Sequence, residues 1–525
     1  MIERRRFLAA LPIAVALAAC ARSPERTVVD VRDHGAVGDG AGDDSAAVRA
    51  AVETLKSGDT LRFPKGSYRI AELNPQWGAA VRLDGLSDIT VEFEPGAELV
   101  MDNVDPATNK GTAHGILVHG PAARIAVRNA KIRWVTRATR SMGDGIRILG
   151  CATDSDQTPQ GWEGPAAPVS EVELVDCEVR GSAQSGAILI GVSDIKISGL
   201  RVVDTAADGL HFNACRRITV DDYVAANNGD DGLAFVTYFN DQPFFDNAAE
   251  TFAFPQLTDW SNADATVSNV SITGGMANGV RLAGAQRVSI TGLEVTGKRE
   301  GSGVIADSAT VESDPIWHYV ASRQVRLDSV TVRDCSMGLQ MLARPPAEGV
   351  DARFTEFDVH IDNATVTDCA NWGVRVESLT GQPVSGLRLG RCRVEATSTD
   401  GGDGGVGLSA TKAIDFEDLT VVHRVPVTTF YAGATTDLTV NALALAIEDS
   451  GQPWQQPPAP CAIFEDSQGV VTTMDVTWPA APPSWTPVLV RRSDAACGVG
   501  TVGPAVEIRT LNVDPDSVVN RVGDC

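Results

Sequence analysis

The sequence predicts an all-β chain wound as a parallel β-solenoid, and three observations carry that prediction. A phrase made of a turn, a glycine and alternating apolar residues recurs along the chain. Its copies keep a nearly constant spacing. Stretches with helical periodicity are few. The phrase appears at Asp144-Gly145-Ile146-Arg147-Ile148, Ser185-Gly186-Ala187-Ile188-Leu189, Asp208-Gly209-Leu210-His211-Phe212 and Asp231-Gly232-Leu233-Ala234-Phe235. It continues at Asn278-Gly279-Val280-Arg281-Leu282, Gly303-Val304-Ile305, Gly338-Leu339-Gln340-Met341 and Gly373-Val374-Arg375-Val376. Gly186, Gly209 and Gly232 lie 23 residues apart, and Gly279 and Gly303 lie 24 apart. Short alternating segments such as Ile195-Lys196-Ile197, Ile218-Thr219-Val220 and Val288-Ser289-Ile290 fall between the copies. Each coil then buries alternate residues, and stacked neighbours complete a core that no coil could form alone. A sandwich or propeller would favour tight hairpins and a blade-length repeat.

In chain order, residues 1–19 read as a cleavable leader. Arg4-Arg5-Arg6-Phe7-Leu8 fits a twin-arginine pattern, and the apolar run that follows is too short for an ordinary spanning helix. Leu17-Ala18-Ala19-Cys20 resembles a bacterial lipobox, so Cys20 is the expected lipidation site. The chain is then expected to be an exported lipoprotein held at the cell envelope by that anchor. Residues 20–27 read as a linker. Loss of residues 1–19, with three Arg and one Glu, moves the net charge from −24 to −26. Next, Asp43, Asp44 or Ser45 can cap a short helix whose Ala47, Val48, Ala51, Val52 and Leu55 cover the open end of the solenoid. The coils occupy residues 28–452. Residues 453–525 are Pro-rich and hold Cys461, Cys497 and Cys525, which suits a C-terminal cap stapled by a disulfide. Among the other cysteines, Cys177 and Cys392 share one column and Cys335 and Cys369 another. Core packing is the preferred reading, with a Cys335–Cys369 bridge between coils as the alternative.

Composition narrows the function classes. The 525 residues are 43% hydrophobic with mean hydropathy near zero, which excludes a disordered chain and a polytopic membrane protein. The acidic balance leaves no basic footprint for nucleic acid. No CxxC or paired His has metal-ligand spacing, so no metal site is expected.

Chemistry concentrates in two consecutive coils. The 23-residue register puts Asp208 and Asp231 in one column with Asp230 beside them, and the strand alternation turns His211 to the same exterior face. Carboxylates that close cannot all ionise freely. One protonated and one ionised carboxyl is what glycosidic-bond hydrolysis requires. The same residues can instead be turn formers before glycine, as Asp144 is expected to be. Arg147 and Arg281 occupy the outward position on other coils, and Asn228 precedes the acidic pair. With His211, these are candidate substrate ligands. Insertions at 150–168, 236–264, 307–321, 343–356 and 377–384 all leave the solenoid at one corner. The longest carries Tyr238, Phe239, Phe244, Phe245, Phe252, Phe254 and Trp260; Trp317 and Tyr319 sit in another. Tyr238 and Trp260 are the expected sugar-stacking rings, packing against the solenoid being the other role open to them.

The N-terminal series Val31-Arg32-Asp33-His34-Gly35-Ala36-Val37-Gly38-Asp39-Gly40, Asp43-Asp44-Ser45-Ala46-Ala47-Val48 and Phe63-Pro64-Lys65-Gly66-Ser67-Tyr68 resembles the opening of the pectate-lyase-like superfamily, including the polygalacturonase family of glycoside hydrolases. The resemblance implies a single-stranded right-handed parallel β-helix over roughly residues 28–450. In the polygalacturonase family an N-T-D-G segment is followed one coil later by G-D-D. Here Ala207-Asp208-Gly209 matches the D-G, and Gly229-Asp230-Asp231 matches the second segment in full. The resemblance therefore implies that Asp208, Asp230 and Asp231 are catalytic and that the glycosidic bond is cleaved with inversion. Gly274-Gly275-Met276 stands where that family has G-H-G, and Gly279-Val280-Arg281-Leu282 partly echoes its R-I-K. The expectation is a polysaccharide-cleaving hydrolase that needs no cofactor. The alternatives are a Ca²⁺-dependent lyase or uronate epimerase on the same fold, and a non-catalytic glycan-binding envelope lipoprotein.

Overall fold

The computed structural model describes residues 27–154, 157–308, 318–344, 351–396, 405–448, 458–492, 505–518 and 521–523. The leader expected at residues 1–19, Cys20, Trp317, Cys497 and Cys525 lie outside them. Alternation and the 23-residue period fold into a right-handed parallel β-helix, the hand expected for a strand–crossover–parallel strand connection. Successive coils stack strand on strand in three parallel sheets. One runs through Ile146–Leu149, Ala187–Ile190, Leu210–Asn213, Leu233–Val236 and Val280–Ala283. The second includes Val169–Val175 and Val192–Ser198, and the third Glu178–Arg180 and Arg201–Val203. From Arg216–Ala226 onward a single long strand serves both of the latter sheets.

The apolar positions of the repeated phrase point inward and align. Ile148, Leu189, Phe212, Phe235 and Leu282 form one register column and are all fully buried. Phe212 and Phe235 stack with centroids 5.1 Å apart. Each such side chain contributes roughly 1.5–3 kcal/mol by leaving water. The repeated glycine is required by close approach. A Cβ on Gly209 would overlap the Tyr223 hydroxyl and the Gly232 carbonyl, because Tyr223 crosses the coil to donate to Gly232 O at 2.7 Å.

The N-terminal helix forms at Ser45–Thr54 and buries Val48, Ala51 and Val52 in the core, with Leu55 just beyond it. Its capping is indirect. Asp43 Oδ1 accepts from Ser45 N at 3.1 Å and from Ser45 Oγ at 2.5 Å, while Asp44 accepts from Val37 N and Gly38 N and ties down the preceding loop.

The other end corrects the boundary at 452. Strands Ala462–Glu465, Gly469–Thr477, Val488–Arg491 and Val506–Asp514 stack in parallel register on the coils before them. Trp478 and Trp485 pack into the core of these coils, both buried and edge-to-face at 4.9 Å. The described prolines of this region, such as Pro479, Pro482 and Pro483, therefore lie between strands that continue the coils. Seven described cysteines, including Cys335, Cys369 and Cys461, are buried free thiols. Burial pushes Cys177, Cys369 and Cys392 up to about 12. They pack as small apolar residues, and no bridge joins Cys335 to Cys369.

Candidate active site

The residue before each repeated glycine lies at the sharp turn leading into the first sheet. Its side chain can reach the backbone N–H of its counterpart one coil on. Asp144 Oδ1 accepts from Ser185 N (2.9 Å), Asp208 Oδ1 from Asp231 N (3.1 Å), Asp231 Oδ1 from Asn278 N (3.0 Å), and Asn278 Oδ1 from Ser302 N (2.9 Å). The turn-forming role is therefore real for all of these Asp residues, and each retains a second oxygen for other partners.

At Asp208 that second oxygen, Oδ2, meets His211 Nδ1 at 2.9 Å. At Asp231, Oδ2 lies 3.9 Å from Arg281 Nη1, while Asn278 Nδ2 adds a second bond to Oδ1 at 2.8 Å. Asp230 is more open and accepts from Arg140 Nη1 at 2.6 Å. One oxygen from each of the three carboxyls lies within 4.8 Å of the others.

Their environments divide the protons. Burial alone would raise Asp208, but the His211 hydrogen bond and the charges of His211, Arg140 and Arg281 outweigh it and hold the carboxyl below its usual range. Burial, and then the charge of Asp208, raise Asp230 against the pull of Arg140. Asp231 is 2% exposed and goes furthest. Burial lifts it to about 7, opposed by Arg281 and reinforced by Asp208 and Asp230. An ionised carboxyl and one that titrates near neutrality thus stand in adjacent coils.

The insertions build the walls. Residues 236–264 fold into a small sheet of Tyr238–Phe239, Phe244–Asp246 and Thr251–Phe254. Tyr238 is buried against Tyr319, ring centroids 5.4 Å apart, and the Arg281 guanidinium lies 4.8 Å from the Tyr319 ring. Burial raises both phenols, Tyr319 to about 12. Tyr238 therefore sits beside the carboxylates as a wall rather than as an open stacking surface.

Three other expectations need correction. Trp260 is buried with Phe245, Phe252 and Phe254 against Leu149, Ile188 and Ile190, and Arg216 lies 4.0 Å over its ring. It anchors the insertion to apolar outward-facing residues of the coils. Asn228 is fully buried between coils and donates to Thr205 Oγ1 at 2.9 Å, so it holds the turn behind Asp230. Arg147 is buried and engaged by Asp144 at 2.9 Å and by Glu250 of the insertion. Asp144, held at about 2 by His114 and Arg147 against the effect of burial, belongs to that ion-pair cluster.

Arg281 is placed at the carboxylates, but its fork is bound to the fully buried Asp307 at 3.1 and 2.7 Å. Two further cations escape a sequence reading. Arg140 leaves the chain 90 residues before its partner Asp230, so no local spacing signals it. Lys298 is fully buried, and its ammonium reaches the Met276 carbonyl at 3.0 Å, bracing the turn that presents Asn278 to Asp231. Burial lowers its pKa, against the nearby Asp231 charge. The only local signal for Lys298 is a lysine placed in a turn between two glycines, Gly297 and Gly301.

Residues 28–74 match the family model for rhamnogalacturonase A/epimerase, pectate lyase-like. This stretch contains the N-terminal series quoted above. No curated protein matches the chain. Among solved structures, the chain is similar to the catalytic unit of a GH87 α-1,3-glucanase from Streptomyces thermodiastaticus (16% identity, 97% of this chain and 70% of that one, TM-score 0.47). It is similar to the family 28 exopolygalacturonase of Yersinia enterocolitica (14%, 84% and 79%, TM-score 0.46). It is also similar to the A-module of a mannuronan C-5 epimerase from Azotobacter vinelandii (12%, 93% and 100%, TM-score 0.39).

Proposed function

We propose that the chain is a polysaccharide-cleaving glycoside hydrolase whose reaction centre is Asp208, Asp230 and Asp231. The observation that carries this is the split between adjacent coils: Asp208 is held ionised against His211, and Asp231 titrates at about 7. In this mechanism Asp231 gives its proton to the leaving glycosidic oxygen. Asp208 takes a proton from the attacking water, and Asp230, paired with Arg140, adds negative charge beside the oxocarbenium-like transition state. The wall formed by Tyr238 and Tyr319 excludes bulk water and strengthens each of these electrostatic effects. The resemblance implies inversion, and the carboxyls are closer than the roughly 6.5–9.5 Å of a usual inverting pair.

The alternative with Ca²⁺ in the Asp cluster fits the donors poorly. Ca²⁺ takes six to eight oxygens, whereas Arg140 and His211 already lie against two of the three carboxyls. We also propose export as a lipoprotein with lipid on Cys20, which rests on the sequence pattern of residues 1–20 and is tested by the mass of the mature N-terminus.

The deciding experiment incubates the protein with polygalacturonan, α-1,3-glucan and mannuronan, with and without a chelator. New reducing ends, unaffected by chelator and lost in Asp231→Asn, support hydrolysis. Chelator-sensitive unsaturated ends, or C-5 inversion without cleavage, would overturn it.

A further inference from the structure

Far from the carboxylates, the same sheet carries two aromatic rings laid flat on its outer surface. Trp372 precedes Gly373 and so repeats the column of Asp231 four coils further on. The outward row that holds His211, Arg281 and Arg375 carries a glycine, Gly407, in the next coil and then Tyr431. A Cβ on Gly407 would stand 2.9 Å from Cε3 and Cζ3 of Trp372 and 2.7 Å from Arg375 Nη1, so the indole lies down across that glycine. Tyr431 does the same over Gly433, where a Cβ would stand 2.5 Å from its hydroxyl and 2.8 Å from Cε1. Glycine in a strand interior weakens the strand, and it commonly marks a place where something must approach the backbone closely.

Neither ring belongs to an apolar cluster among the described residues, and both are half-buried on the outer face. Polar groups fix them and flank them. The Arg375 guanidinium lies 5.2 Å from the Trp372 ring and bonds Glu377 at 2.6 Å. The Tyr431 hydroxyl donates to Glu465 at 3.1 Å, and Arg491 pairs with the same carboxylate at 3.1 Å. A flat ring bordered by carboxylates and guanidinium groups is suited to a sugar unit. The C–H face of a pyranose stacks on the ring while its hydroxyls bond to the rim. At about 4.8 Å per coil, Trp372 lies roughly 19 Å from Asp231, and Tyr431 two coils beyond that.

We propose that Trp372 and Tyr431 form a distal subsite that grips a polysaccharide several sugar units away from the cleavage point. The direction of the chain, from Asp231 towards Trp372, rests on the hydrolase mechanism proposed above; the aromatic floor itself does not.

The test compares wild type, Trp372→Ala, Trp372→Phe and Tyr431→Ala by affinity gel electrophoresis in polygalacturonan, α-1,3-glucan and mannuronan, and by turnover of those polymers and of their trisaccharides. Each Ala variant should keep the thermal midpoint and the trisaccharide kinetics. It should weaken polymer binding, or raise the polymer KM, by roughly five- to tenfold. Trp372→Phe should recover most of the loss. Polymer binding equal to wild type, equal losses on trisaccharide and polymer, or no retardation of wild type in any polymer would overturn the subsite. If wild type binds a polymer without cleaving it and Trp372→Ala releases it, the subsite stands and the hydrolase does not. If wild type cleaves and the variants match it, the subsite alone falls.

Discussion

Asp208 serves Asp231 through one oxygen and His211 through the other: Oδ1 accepts the Asp231 backbone N–H at 3.1 Å, and Oδ2 faces His211 Nδ1 at 2.9 Å. The turn-building role and the chemical role are therefore carried by different atoms of one side chain, and substitution can separate them. Asp208→Asn keeps an acceptor for the Asp231 N–H, so the fold should hold while turnover falls about 10²–10⁴-fold with loss of the base. Asp208→Ala also leaves a buried donor unsatisfied, which costs about 1–3 kcal/mol. Urea unfolding beside turnover checks both. Equal stability of the two variants would show that the ladder bond contributes nothing.

The proton division fixes the pH behaviour. Turnover requires Asp231 protonated and Asp208 ionised, so activity should decline as pH rises through about 7 and should decline in acid only near the low range of Asp208. Stability follows the same group. Asp231 titrates at about 7 in the fold against 3.8 for a free carboxyl, so the native state binds the extra proton between these values. Its contribution is full below about pH 4 and is lost as pH rises through 7. Thermal midpoints measured from pH 4 to 8 should show that decline in wild type, and it should be smaller in Asp231→Asn, where the raised Asp230 remains.

Much of this was legible in the sequence because a solenoid writes its register as a period. The 23-residue spacing of Gly186, Gly209 and Gly232 is the coil length, and by itself it places Asp208 over Asp231. What crosses the period was not legible. Arg140 reaches Asp230 from a turn outside the repeated phrase, and Lys298 braces a neighbouring turn through a backbone carbonyl. The C-terminal coils were concealed by prolines such as Pro479, Pro482 and Pro483, which sit between Gly469–Thr477 and Val488–Arg491. The role of Trp260 had a signal that was available: Ile188 and Ile190 are apolar at outward positions, so something had to cover them.

That covering role predicts how Trp260 behaves. Trp260→Ala removes a buried ring from the seam between the insertion and the coils and should cost about 3–5 kcal/mol. Limited proteolysis should then cut within residues 236–264, which wild type resists. A sugar-stacking role would instead raise KM with the protease pattern unchanged.

The last prediction concerns the glycine that lets Tyr223 cross the coil. Tyr223 is fully buried and bonds the Gly232 carbonyl at 2.7 Å, passing where a Cβ of residue 209 would lie. Gly209→Ala should therefore destabilise by about 1–3 kcal/mol through overpacking, and Tyr223→Phe by about 1 kcal/mol through the lost hydrogen bond. Removing the hydroxyl also removes the nearest clash. The double variant should thus be more stable than the sum of the two single losses, by a coupling of about 0.5 kcal/mol or more. Strict additivity in urea unfolding would mean that the Gly232 carbonyl of the next coil, rather than Tyr223, demands glycine at this position.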